Sequence, residues 1–102
     1  MNTIELDASG WKTPLDAASA LKAALGSPVW HGNVAVAFVD SMVAGGVNAL
    51  KPPYVIKVVN TSDLGPEVMK FIRNVSDWVE DTRVRRLARI GEDVAVSVEI
   101  AN

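Results

Sequence analysis

Residues 3–6, Thr-Ile-Glu-Leu, alternate polar and apolar, which predicts a short first strand. A connection containing Asp7, Ser9 and Gly10 follows. From residue 13 the period changes. Leu15, Ala18, Leu21 and Leu25 recur at helical spacing and predict an amphipathic first helix. Thr13 is its expected cap, Pro14 fits the first helical position, and Asp16 lies near the positive end of the helix dipole. Gly26 and Pro28 end it.

A loop, Ser27-Pro28-Val29-Trp30-His31-Gly32-Asn33, leads to a second segment at 34–44. Ala35, Phe38, Val39 and Met42 fit one helical face, with Asn33 as cap and Gly45-Gly46 as terminator. Val34, Val36 and Val39 are β-branched, so a buried strand is the competing reading. Residues 54–59, Tyr-Val-Ile-Lys-Val-Val, predict the strongest strand, central and covered on both faces. After Gly65-Pro66, the residues Val68, Phe71, Ile72, Val75 and Val79 form the core face of a third helix. Helical spacing continues through Val84, Leu87 and Ala88 to Gly91, either unbroken or split near Asp81-Thr82 into a fourth helix. A last strand covers 94–100. Strands separated by helical crossovers point to an α/β fold with a parallel sheet and right-handed connections.

The chain of 102 residues suffices for one domain, and its 49% hydrophobic and 22% charged content is that of a folded globular protein. Apolar runs such as 34–39 are too short to span a membrane. A formal net charge of -2 argues against a general nucleic-acid binder, which needs a basic footprint. With no cysteine, disulfides, thiolate metal sites and cysteine nucleophiles are excluded. The N-terminal residues show no basic stretch followed by an apolar run, so the expected compartment is the cytoplasm.

Catalytic equipment is sparse, and no enzyme activity or cofactor is expected. His31 is the sole histidine, and no Gly-x-Ser-x-Gly elbow, metal-ligand spacing or phosphate loop accompanies it. Its alternatives are a locally hydrogen-bonded loop residue or a functional one. Arg85, Arg86 and Arg89 share a helical face and form either a patch for phosphate or an acidic partner, or a solvated surface balanced by Glu80 and Asp81. Asp40 is the sole charged residue between Asn33 and Ala49. An acid among small apolar groups reads either as an interface anchor or as a solubilising charge.

Pro28-Val29-Trp30-His31-Gly32, then Asp40 eight positions after that glycine, then Gly45-Gly46-x-Asn48 and Pro52-Pro53-Tyr54-Val55-Ile56, resembles the barstar family of intracellular bacterial inhibitors of secreted ribonucleases such as barnase. The likeness covers nearly the whole chain in element order and is motif-specific from Pro28 to Ile56. It implies a three-stranded parallel sheet packed against three or four helices, in a single domain over residues 1–102. It also implies that the second helix and its preceding loop plug the active site of a basic ribonuclease or ribonuclease-like toxin. On that resemblance Trp30, His31 and Gly32 match the aromatic loop, Asp40 the central acid and Glu67 a peripheral acid. Val34 and Val36 stand where the family usually carries Asn and Asp, so the binding helix keeps one carboxylate of two. Val36 thus marks a changed contact position. The competing expectation is another protein partner, or a homodimer through the apolar second helix.

Overall fold

The computed structural model describes residues 2–101. The first helix, α1, is Pro14–Leu25 and begins at the expected capping signals. Thr13 is extended (φ -133°, ψ 158°), and its Oγ accepts from the Asp16 amide at 3.3 Å. The Asp16 carboxylate accepts in return from the amides of Lys12 at 2.7 Å and Thr13 at 3.1 Å. Orphan N–H groups at the helix start are thus satisfied reciprocally. These bonds, that from Lys12 above all, hold the Asp16 carboxyl below its ordinary pKa. The buried stripe is Ala17, Ala18, Leu21 and Leu25. Leu15, expected on it, is 56% exposed because at about 100° per residue it falls well round the helix from that stripe.

Gly26 ends α1 in the left-handed region (φ 64°). A β-carbon there would lie 2.6 Å from the Ala49 Cβ. Two requirements therefore select glycine: the backbone angle and the close passage of the 44–50 loop, whose Ala49 amide donates to the Gly26 carbonyl at 3.1 Å.

The second segment is a helix, α2 (Ala35–Val43), and not a strand. Its cap is Val34, which makes no side-chain capping bond. Asn33, expected in that role, instead faces Lys22, whose Nζ donates to Asn33 Oδ1 at 3.4 Å. Phe38, Val39, Met42 and Val43 carry α2 into the core. Each such burial contributes ~1.5–3 kcal/mol relative to exposure, which offsets the poor helix propensity of a valine-rich segment.

The sheet comprises β1 (Asn2–Asp7), β2 (Tyr54–Val59) and β3 (Val96–Ile100), all parallel, in the order β1-β2-β3. Ile4, Ile56 and Val98 lie side by side, as do Glu5, Lys57 and Glu99. On β2, Tyr54, Ile56 and Val58 are buried, whereas Val55, Lys57 and Val59 are half-buried. The expectation of a strand covered on both faces is therefore corrected. A strand order that never reverses, with crossovers of one hand, places the helices on one side of the sheet. The other side carries the Glu5–Lys57–Glu99 row.

The third helix, α3 (Pro66–Ile90), is 25 residues long and runs unbroken through Asp81 and Thr82, so there are three helices among the described residues. Val68, Ile72, Val75 and Val79 are its buried face. Phe71 is half-buried and meets Phe38 edge-on, with centroids 6.1 Å apart. Beyond Val79 the helical spacing persists without a core to fill, and Val84 and Leu87 are exposed. Arg83 ties this half of α3 to the start of β3. Its Nη2 donates to Asp93 Oδ2 at 2.9 Å, its Nε to Asp93 Oδ1 at 3.1 Å, and its Nη1 to the Val96 carbonyl at 2.8 Å. The fold is α/β, with a three-stranded parallel sheet and three helices, consistent with a barstar-like α/β arrangement. No helix among the described residues is long and apolar enough to cross a membrane.

Candidate functional site

The loop before α2 is held from beneath by a buried polar chain. His31 is 5% exposed, and its ring lies 4.7 Å from that of Phe38. Nδ1 is 2.7 Å from the Gly32 carbonyl, which can only accept, so that nitrogen carries a proton. Nε2 is 2.9 Å from Ser41 Oγ. Asn48 Nδ2 donates to the same oxygen at 3.1 Å, and Ser27 Oγ donates to Asn48 Oδ1 at 2.7 Å. Ser41 and Asn48 are themselves buried. From the side, Lys22 Nζ donates to the His31 carbonyl at 3.1 Å. The His31 side chain is thus engaged inside the protein, and the contact surface expected of its ring is absent. The locally hydrogen-bonded alternative describes it.

Holding His31 inward turns its neighbour outward. Trp30 is 71% exposed, and Val29 beside it is almost wholly so. Gly32 is exposed, and a β-carbon there would come within 3.3 Å of the Ala37 Cβ in the first turn of α2. Its small size lets the loop close down on the helix.

Along α2 the core takes Phe38, Val39, Ser41, Met42 and Val43, leaving Val34, Val36 and Asp40 outside. Val36 is 55% exposed. Asp40 is exposed, and its carboxylate makes no hydrogen bond or ion pair among the described residues. Glu67 stands exposed in the first turn of α3.

A groove of three adjoining hollows lies between α2 and α3, neighbours sharing Val36 and Trp78 or Asp40, Thr82 and Arg85. At one end Val34, Val36, Phe71 and Trp78 line it, with Glu67 and Lys70 on its rim. In the middle Val36 and Trp78 meet Asp40, Asp81 and Arg85. At the far end Asp40 and Ala44 face Thr82, Arg85, Arg86 and Arg89 across a cavity of about 380 Å³. The start of α2 therefore faces the first half of α3 and its end the second half, so the two helices run in the same sense. That placement brings the arginine row beside Asp40, two features that are 45 or more positions apart in the sequence. Arg85 is ion-paired to Asp81, and Arg86 lies 3.6 Å from Glu92. Arg89 has no ion-pair partner among the described residues. The described residues hold no cluster of three His, Asp or Glu side chains able to ligate a metal.

The outer face of the loop and α2 thus presents the exposed Trp30 indole, the exposed Val34 and Val36 side chains and the Asp40 carboxylate, bordered by the Arg85, Arg86 and Arg89 guanidiniums. No family model matches the chain, and no curated protein matches it.

Proposed function

We propose that this protein is a barstar-like inhibitor, of the immunity type, that binds and blocks a basic ribonuclease or ribonuclease-like toxin through α2 and the loop before it. The observation that carries this reading is the Asp40 carboxylate, accessible and without a partner among the described residues, on a helix whose other outward residues are apolar. A carboxylate already free of intramolecular bonds loses only water when it enters a cationic cleft. Trp30 supplies the bulky, low-entropy contact that interface centres favour, and Val36 the apolar contact beside Asp40. Glu67, at the other end of the same groove, is a rim charge acting on association rate more than on affinity. His31 and Gly32 act by positioning Trp30. The arginines set a requirement on the target: its surface opposite the second half of α3 is not itself basic, since like charges across an interface are costly. The protein acts by occlusion, without turnover, in the cytoplasm of its cell.

The test is addition of equimolar purified protein to a barnase-class ribonuclease while RNA cleavage is followed. Cleavage should stop, inhibition should weaken with salt, and Asp40→Ala should relieve it. Unimpeded cleavage overturns that target, and an Asp40→Ala variant inhibiting as well as the parent overturns the anchor.

A further inference from the structure

The α2–α3 groove carries features that a purely basic target leaves unused. Val36 and Trp78 border two successive stretches of it and are both exposed. Beside them lie one anion, Asp40, and one cation, Arg89, each without an ion-pair partner among the described residues, lining the same cavity yet not bonded to each other. Around that cavity the other charges are internally matched, Arg85 with Asp81 and Arg86 with Glu92, while Glu67 and Lys70 stand at the opposite end of the groove. A uniformly acidic visitor leaves Arg89 satisfied but is repelled by Asp40, and a uniformly basic one leaves Asp40 satisfied but is repelled by Arg89. A surface carrying one spare charge of each sign next to an apolar strip is complementary to itself under a two-fold rotation.

The geometry points to this groove as the docking site for a second copy of the chain, arranged two-fold, with Asp40 of each copy against Arg89 of the other beside the apolar contact of Val36 and Trp78. The smallest specific interfaces bury ~600 Å² on each partner, about a tenth of this protein's 5711 Å² surface. An interface of that size, with two charge pairs, gives a weak and reversible dimer that responds to salt. The dimer stands independently of the inhibitor reading. Its regulatory consequence rests on that reading: the dimer covers Asp40, so a copy engaged with another copy is unavailable to a target.

Sedimentation velocity of the protein alone tests this, over ~10 μM to ~1 mM, the range in which interfaces this small dissociate. The wild-type mass should rise with concentration and fall back towards monomer in high salt. Asp40→Arg and Arg89→Asp, each studied alone, place like charges across the two-fold and should each weaken association about tenfold or more. Mixed one to one, the two variants should associate again, because the new arginine of one meets the new aspartate of the other and the native pair forms at the second contact. Circular dichroism confirms that these exposed substitutions leave the fold intact. A wild-type protein that stays monomeric throughout overturns the proposal. So do single variants with unchanged mass, and weakened variants that fail to associate on mixing. None of these outcomes involves a ribonuclease, so failure here and failure of the inhibitor reading are read separately.

Discussion

Replacing Ser41 by alanine removes one oxygen on which the loop before α2 depends. Two buried groups, His31 Nε2 and Asn48 Nδ2, lose their partner at 2.9 and 3.1 Å. A buried polar group left unpaired costs ~1–3 kcal/mol. The two share one site, so their losses do not simply add, and the expected destabilisation is about 2–4 kcal/mol. Total stability for a domain of this kind is ~5–15 kcal/mol, so Ser41→Ala should lower the midpoint of thermal unfolding by about 10–25 °C. Urea unfolding followed by circular dichroism provides the free energy, with an unchanged denaturant slope as the sign that the end states are the same. The neighbouring position supplies the control. Asp40→Ala removes an exposed carboxylate with no bond among the described residues and should change stability by less than ~0.5 kcal/mol. Two adjacent residues of one helix are thereby given opposite expectations, Ser41 essential to the fold and Asp40 dispensable to it. A Ser41→Ala protein as stable as the parent would refute the account of the polar chain and of how Trp30 is held outward.

Further expectations follow from other contacts. Gly26→Ala forces a side chain into the left-handed region and against Ala49, and should cost about 1–3 kcal/mol by denaturant unfolding. Arg83→Gln removes the two-pronged contact with Asp93 and should cost about 1–2 kcal/mol, with faster amide exchange at the start of β3. Asp7, Asp16 and Asp93 have lowered pKa values, chiefly through hydrogen bonds from the Asn60 side chain, the Lys12 amide and the Arg83 side chain respectively. Folded carboxyls that bind protons less readily than unfolded ones contribute stability above pH ~4 that is lost as pH falls through the folded values. Unfolding free energy measured from pH 7 downward should therefore be level at first and decline only below about 4. Burial pushes the Tyr54 phenol up to about 12. It is the single tyrosine in the chain, so the phenolate absorbance reports it alone. The native protein should titrate near 12, while stability declines as pH rises beyond ~10, the value of an unfolded tyrosine.

Much of the fold is legible in local pattern. Thr13-Pro14-x-Asp16 announces the start of α1 because every group in that cap lies within four residues. The stripe from Val68 to Val79 fixes the buried face of α3, and Tyr54–Val59 is the central strand. The failures are places where distant partners decide. Leu15 has the right residue type but the wrong angle, which depends on where the sheet lies. Asn33 has capping chemistry, yet Lys22 from α1 occupies its oxygen. The second face of β2 reads as apolar but is left half-open, because the helices gather on the other side. The candidate site divides the same way. Asp40, Trp30 and Val36 are exposed as a lone acid, a loop indole and a displaced contact position would suggest. The burial of His31 depends on Ser41 and Asn48, ten and seventeen residues away, and no periodicity reports such a chain. The arginine row lies beside Asp40 because α2 and α3 run in the same sense, a tertiary relation that no local pattern encodes.

The strand register has a consequence for how the chain reaches its native state. Ile4 pairs with Ile56, 52 positions later, and Ile56 with Val98, 42 positions later. No strand has a hairpin neighbour to zip against. Every rung of the ladder waits for a large loop to close, and that closure opposes folding before any rung rewards it. The helices, whose bonds span four residues, can form early and serve as the template on which remote segments meet. Acquisition of structure should therefore be slower than in a helical bundle of equal length, with the sheet as the late event.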